Sequence, residues 1–511
     1  MDDLFAVFAS SILTALSMPG MLWGGLVWFA LIPLFYELNR SRVVGGTLKV
    51  FTYAYTYLLL SHFWVFPVLS KNVPEVLDTF PPFVGVVTFF LMGLIMAAPL
   101  TGFGLIYMLL RNCFKSNPFS SSAVVASIFV VFEWLRSLGP LGFTGGRLSH
   151  ALVNELGLLQ LLSFGGTLLL VFIIVFVNHL AYTLLPRSLT KKALLLLVVL
   201  GAVFSMNSLI ERAIPRVKED SEQVVEVSVI QTNFPQSLKY NEPASVILSV
   251  VEEALKSVPE SSWVLMPEAT FMSDIRDNHV GSRLQEIVSE RELSVLIGFP
   301  TYNEKNYNQL RVITSDGFGE EFYAKIRLTP FVEILPYPRV FGLFGFLRFL
   351  DFFSPGQEYT VFDFAGTDLA AQICFDSYYP EVTRGLVAAG GEVIVTSTND
   401  GWFDHSTALV QHFVQTQLRA VENRRFAIQV SNTGITGVVD PYGRQLKTLL
   451  TGAETDDSFV IDTLTFSPRR DRTLYSVYGE WVLIVSLGIA GLFLIAILRR
   501  SRRKKHSDIA L

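Results

Sequence analysis

Hydrophobic positions along this chain come in blocks. Long apolar runs fill 4–18, 20–37, 50–68, 83–110, 120–137, 157–185 and 193–210, and one more covers 480–498. About 20 apolar residues in a helix cross a hydrocarbon core of about 30 Å. Each run therefore predicts a membrane span, the first being short for the distance. Between 222 and 468 the pattern changes. Short β-branched runs predict strands at 224–230, 263–266, 293–298, 307–314, 369–374, 392–397, 427–431 and 437–439. Amphipathic stretches at 244–256 and 409–423 lie between them, and Asp316-Gly317 and Pro441-Tyr442-Gly443 mark turns. Strands alternating with helices predict an α/β domain with helices covering a sheet. The chain thus divides into a seven-span region (1–215), a soluble α/β domain (222–468), a last span (478–498) and a tail (499–511).

Composition agrees with that division. At 511 residues and 51% hydrophobic, the chain is too apolar for a wholly soluble protein. Charge adds an orientation. Arg40, Arg42 and Lys49 follow the second run, Arg111 and Lys115 the fourth, and Arg187, Lys191 and Lys192 the sixth. The alternate loops hold only Lys71, Arg136 and Arg147. Basic residues stay on the cytoplasmic side, so the N-terminus is expected inside and the α/β domain outside. The last span then returns a basic tail, Arg499-Arg500-Ser501-Arg502-Arg503-Lys504-Lys505, to the cytoplasm. That position favours a membrane-flanking role for the tail over nucleic-acid binding. Met1-Asp2-Asp3 lacks the basic start of a cleavable signal, so the first run is expected to be retained. Glu133 and Arg136 are three apart and would pair on a helix. Asn178 and His179 sit within the sixth run, as inter-helix hydrogen-bonding groups or as part of a lipid entrance.

The candidate chemistry lies at strand ends, where active groups of α/β sheets gather. Glu268 ends the run Val264-Leu265-Met266-Pro267-Glu268, Lys325 ends Phe322-Tyr323-Ala324-Lys325, and Cys374 ends Ala370-Ala371-Gln372-Ile373-Cys374. Cys374 is one of two cysteines, and its distance from Cys113 argues against a disulfide framework. A thiol is mostly protonated at neutral pH, so a nearby carboxylate, Glu268, suits the role of general base and acid. A nearby ammonium, Lys325, is expected to lower the thiol pKa and to hold an oxyanion. Glu333 adds a second carboxylate that orients the lysine or the base. No Cys–His pairing is evident, and His405 and His412 form no recognisable metal pattern. No phosphate-binding glycine pattern appears either, so neither a metal nor a cofactor is expected. On these residues alone, a buried structural cysteine is a standing alternative.

The neighbouring sequence favours the catalytic reading. The chain resembles the nitrilase (carbon–nitrogen hydrolase) superfamily and, within it, the apolipoprotein N-acyltransferases. The resemblance rests on Gln231-Thr232-Asn233-Phe234-Pro235-Gln236, Pro267-Glu268, the stretch from Lys325 to Glu333, and Ile373-Cys374. It continues through Asn399-Asp400-Gly401-Trp402-Phe403, Gln411-His412, Arg419-Ala420-Val421-Glu422-Asn423 and the stretch from Ser431 to Gly437. It implies an extracytoplasmic α-β-β-α sandwich on a multi-pass helical anchor in the bacterial inner membrane, with both termini cytoplasmic. It also implies ping-pong acyl transfer from a membrane phospholipid, through a Cys374 thioester, to the α-amine of a diacylglyceryl-cysteine apolipoprotein. Glu268, Lys325 and Cys374 would be catalytic, and Glu333, Asp376 and Phe375 would support them. Tyr240 and Trp402 would contact substrate. Departures from the family pattern fall at Tyr240, Phe375, Asp376 and Thr144, where the family often has Trp, Tyr, Glu and Pro.

The run from Phe341 to Phe353 is independently apolar for a loop outside a membrane. It is expected to form a lid dipping into the outer leaflet, with Phe341, Phe344 and Phe346 touching acyl chains. A core helix under the sheet is the alternative. A tethered amidase acting on small carbon–nitrogen substrates and a non-catalytic scaffold are the competing functions.

Overall fold

In the computed structural model, residues 2–76, 80–114, 117–185, 188–216, 224–302, 304–343, 353–364, 366–451 and 459–509 are described. They fall into a helical unit (Met1–Phe63, Phe89–Ala213, Tyr478–Leu511) and an α/β unit (Trp64–Thr88, Ile214–Val477).

Among the described residues of the chain, six helices are long and apolar enough to cross a membrane. They are Val43–Ser61, Pro82–Cys113, Pro118–Leu135, Leu162–Thr183, Ala193–Ala213 and Trp481–Arg499. Near the N-terminus an apolar helical stretch, Leu4–Leu16, is shorter. The expected span at 20–37 is not one helix. A 3₁₀ turn, Gly24–Trp28, leads into a short helix, Ile32–Arg40, with a proline in its first turn. Gly24 lies so close to the Ala151 carbonyl that a Cβ would stand 1.8 Å from its oxygen, so the chain bends where two backbones touch. The break frees backbone groups, and in lipid these need protein partners. Asn178 supplies them: its Oδ1 accepts from Leu31 N at 3.0 Å and its Nδ2 donates to Val27 O at 2.9 Å. His179 Nδ1 lies 2.9 Å from Ser122 Oγ. Glu133 and Arg136 do pair, at 2.5 Å, and Arg147 lies 3.5 Å from the same carboxylate oxygen.

Among its described residues the α/β unit contains twelve strands in two six-stranded sheets. In chain order they are β1 (Val225–Gln231), β2 (Trp263–Leu265), β3 (Ser294–Tyr302), β4 (Asn306–Thr314), β5 (Gly317–Ala324) and β6 (Phe362–Phe364). There follow β7 (Thr367–Ile373), β8 (Val393–Thr398), β9 (Phe426–Ser431), β10 (Gly434–Val439), β11 (Gln445–Thr451) and β12 (Val460–Phe466). The first sheet runs β12-β1-β2-β3-β4-β5 and the second β11-β10-β9-β8-β7-β6. In each, the parallel strands are central: β1, β2 and β3 in one, β7, β8 and β9 in the other. Parallel strands buried on both faces read as continuous apolar runs, which is why the sequence exposes them.

Helices Ala244–Ser257 and His279–Glu290 cover the first sheet, packing Ile247, Val251, Leu284 and Ile287 against Val264, Val295 and Ile297. Helices Pro380–Ala388 and Thr407–Asn423 pack on the second. The sheets meet through Ser397 Oγ, which donates to Met266 O at 2.9 Å, and Asn233 N, which donates to Asn432 O at 2.8 Å. This is the α-β-β-α sandwich implied above. Leu284 is 1% exposed in the helix-to-sheet core. Leu284→Ala is expected to lower stability by about 2–5 kcal/mol, read as an earlier thermal transition of the full chain in detergent.

Candidate active site

Glu268 follows β2 directly. Its backbone lies hard against β3: a Cβ on Gly298 would come 2.8 Å from Pro267 O and 2.9 Å from Glu268 Cα. The next residue, Ala269, has φ +46°, a left-handed conformation that an alanine adopts only under constraint. The carboxylate is buried, and its oxygens are occupied by different partners. Oε1 accepts from Asn308 Nδ2 at 2.8 Å and from Lys325 Nζ at 3.0 Å, while Oε2 accepts from the Asn399 backbone N at 3.1 Å.

Lys325 leaves β5 with its backbone N bonded to Asn308 O at 2.9 Å. Its ammonium, 2% exposed, lies between Glu268 and Glu333, 2.8 Å from Glu333 Oε2. Burial alone would lower its pKa, but the two carboxylates outweigh it and hold it well above the ordinary lysine value. Glu333 also accepts from Thr329 N and from Asn308 Nδ2, each at 2.8 Å. Burial pushes its carboxyl up, Lys325 pulls it down, and the net shift is downward. Asn308, with no expectation attached to it, therefore bridges both carboxylates.

Cys374 begins a 3₁₀ turn, Cys374–Tyr378, at the end of β7, and its φ is +46°. Strand-to-turn strain of this kind presents a side chain at the sheet edge. Asp376, fully buried, ties the turn down. It accepts from Tyr323 Oη at 2.7 Å, Arg327 N at 2.7 Å and Ile373 N at 3.2 Å. Burial pushes its carboxyl up to about 7 against those donors. The Lys325 ammonium lowers the pKa of the Cys374 thiol, as expected of a nearby cation, but other influences on the thiol are larger. Burial and the Glu268 charge push it well above its ordinary value, and Lys325 only partly offsets them. Burial is thus the dominant influence on this thiol.

One correction concerns histidine. His412 comes to Cys374, with Nε2 3.2 Å from the Cys374 carbonyl oxygen and Nδ1 2.7 Å from Asp400 Oδ1. Among the described residues, Cys374, Asp400 and His412 form the one group whose metal-ligand atoms lie within 4.8 Å of one another.

Of the aromatic candidates, Tyr240 and Trp402 meet edge-on, with ring centroids 5.6 Å apart. The stretch between two apolar helices joins them from the same α/β unit: Asn72 Nδ2 donates to Trp402 O at 2.8 Å, and Trp64 Nε1 donates to Gln411 Oε1 at 3.0 Å. Phe375 packs on Tyr379 at 5.3 Å. Phe341 ends the short helix Pro338–Phe341 and packs edge-on against Phe331 at 5.0 Å. Phe344 and Phe346, with most of the expected lid, lie outside the described residues. Lys239, without a sequence expectation, is a buried lysine whose Nζ lies 3.4 Å from Glu268 O; burial pulls its pKa down to about 7.

Comparison with known proteins places the chain in a family. Residues 10–180 match the model of the apolipoprotein N-acyltransferase N-terminal domain, and 242–463 match that of the carbon–nitrogen hydrolases. The apolipoprotein N-acyltransferase of Thermotoga maritima is 41% identical over 510 residues, covering 100% of this chain and 96% of the relative. This chain belongs to the apolipoprotein N-acyltransferase family. It is a multi-pass membrane acyltransferase of the nitrilase superfamily. The corresponding protein of Borreliella burgdorferi is 26% identical, covering 96% of this chain and 94% of its own. A Saccharomyces cerevisiae protein of branch 10 of the nitrilase superfamily aligns at 17% identity and a TM-score of 0.36, covering 47% of this chain and 90% of its own.

Within this acyltransferase the structure brings Lys325 against both Glu268 and Glu333, with Cys374 near enough to feel the charges of Glu268 and Lys325. What the sequence reading missed is the polar setting around them. Asp400 and His412 stood in stretches quoted for the resemblance, yet carried no assigned role. Asn308 left no signal, being one polar residue in an alternating strand.

Gly298→Ala is expected to displace Glu268 and cut turnover by about a hundredfold, as misplacements of roughly 1 Å do. Steady-state kinetics alongside a thermal melt would show the rate falling far more than the stability. Glu333 also makes a pH prediction. Its depressed pKa contributes stability that is fully present above about pH 4.3, the unfolded value, and is lost as pH falls through the folded value. Melting temperatures between about pH 3 and 6 are therefore expected to fall less steeply for Glu333→Gln than for the parent.

Proposed function

We propose that Cys374 carries the acyl group between a membrane phospholipid and the N-terminal amine of a diacylglyceryl-cysteine lipoprotein. The reading is carried by one observation: a strand-end thiol beside a buried carboxylate held by three hydrogen bonds, in a chain whose full-length relative is an apolipoprotein N-acyltransferase. Glu268 takes the thiol proton as Sγ attacks the ester carbonyl, and the resulting oxyanion is stabilised by the Lys325 ammonium. Collapse breaks the carbon–oxygen ester bond. The proton passes from Glu268 to the departing alkoxide, releasing a lysophospholipid and leaving a thioester. The acceptor amine then attacks that thioester, Glu268 removes its N–H proton, and the carbon–sulfur bond breaks to give an amide. The thiolate recovers its proton from Glu268.

Glu333 and Asn308 hold Lys325 and Glu268 in register, and Asp376 and Phe375 support the turn that bears the nucleophile. Tyr240, Trp402 and Phe341 are assigned to substrate contact. The loop charges described above orient the α/β unit to the extracytoplasmic side of the bacterial inner membrane, with both termini cytoplasmic.

Intact-mass measurement of the full chain in detergent with phospholipid alone tests the reading. The expected result is one fatty-acyl increment on the parent, absent from Cys374→Ala, and discharged onto a diacylglyceryl-cysteine peptide as an N-acyl product. No adduct on folded protein overturns the nucleophile assignment. An adduct that only water discharges overturns the acceptor assignment and favours an amidase-like hydrolase.

A further inference from the structure

The strained carbonyl of Cys374 has two hydrogen-bond donors. Ser377 Oγ donates to it at 2.7 Å, and His412 Nε2 lies 3.2 Å away. The other ring nitrogen, Nδ1, faces Asp400 Oδ1 at 2.7 Å, an oxygen that also accepts from Thr398 Oγ1 at 2.9 Å. A carbonyl and a carboxylate both accept, so each ring nitrogen must donate. The imidazole is therefore an imidazolium, with no lone pair left for a thiol proton or a metal. It is 2% exposed, and Tyr378 stacks on it with centroids 5.6 Å apart. Asp400, 1% exposed, has no hydrogen-bond partner for its Oδ2 among the described residues, so the imidazolium is the cation that balances its buried charge.

We propose that His412, protonated and anchored by Asp400, is a positioning residue that locks the left-handed backbone of Cys374 and so aims its sulfur. A non-glycine residue with φ +46° costs about 1–3 kcal/mol and persists only where its surroundings over-determine it. The charge-assisted donor from His412 is such a determinant, because it holds the carbonyl in the direction that this φ imposes. This inference rests on Cys374 being the nucleophile.

Protonation state then links activity to pH. The groups facing the ring are Asp400 from the loop after β8, Cys374 and Tyr378 from the nucleophile turn, and Glu268 from the end of β2. Burial lowers the pKa of His412, while Asp400 and the Cys374 carbonyl raise it further, for a net upward shift. The locking charge is thus present below the ordinary histidine value and lost as pH rises through the raised one.

The test measures the rate of acyl-adduct formation on Cys374 against pH, using full-length protein in detergent with phospholipid. An adduct on the parent checks the underlying reading separately. His412→Phe is expected to slow acylation about 10- to 100-fold, the worth of a charge-assisted hydrogen bond. His412→Gln keeps one N–H donor without titrating, so it is expected to recover most of the rate and to lose the alkaline decline. Asp400→Asn is expected to keep the lock at low pH and to move that decline to lower pH. Should His412→Phe fail to fold, the Gln and Asn variants carry the test alone. A Gln variant as inactive as Cys374→Ala would overturn the proposal, as would an alkaline decline that neither variant moves.

Discussion

Lys325 holds this site together. Two carboxylates and one ammonium share a pocket from which water is nearly excluded, and each ion costs several kcal/mol to bury without a partner. The arrangement is stable only because every charged oxygen is also hydrogen-bonded: Glu268 to Asn308 and Asn399, Glu333 to Asn308 and Thr329. Burial also acts on the neighbouring Cys374 sulfur: it pushes the thiol pKa up, the Glu268 charge adds to the push, and the Lys325 ammonium opposes it.

The sandwich supplies the rigidity that such a cluster needs. The central strands of both sheets end at one edge, and polar side chains stitch the two edges together. Asn432 is the clearest case: its Oδ1 accepts from Thr232 Oγ1 and Phe234 N, and its Nδ2 donates to Phe234 O and Asn399 Oδ1. Asn399 in turn donates its backbone N–H to Glu268. Left-handed backbones collect nearby, at Asn233, Ala269, Phe331 and Cys374. Strain of this kind is tolerated where surrounding bonds over-determine it, and it aims side chains that relaxed strands would turn into the sheet.

The helical unit obeys a different constraint. Without water, each backbone group freed by a broken helix must find a protein partner. Asn178, which the sequence reading left between a structural and an entrance role, meets that need for the bent 20–37 segment. Glu133 pairs with Arg136 and lies near Arg147, so its one negative charge offsets one of the two positive charges there.

Periodicity alone determined the division into apolar helices and an α/β domain, and it located the eight inner strands. The four strands it left without bounds, β5 (read only at its Lys325 end), β6, β11 and β12, are the four sheet edges, where one flank meets no strand and the apolar run gives way to residues such as Glu320, Glu321, Lys447 and Asp462. The catalytic candidates were legible because strand-end position and residue type are local properties. Only the tertiary structure decided the rest. It brought Asn308 beneath two carboxylates, placed His412 against Cys374 from 38 residues away, and broke an apolar run that hydropathy alone joins into a span. Long-range packing sets which polar groups meet and what charge they keep, and a one-dimensional pattern carries no record of either.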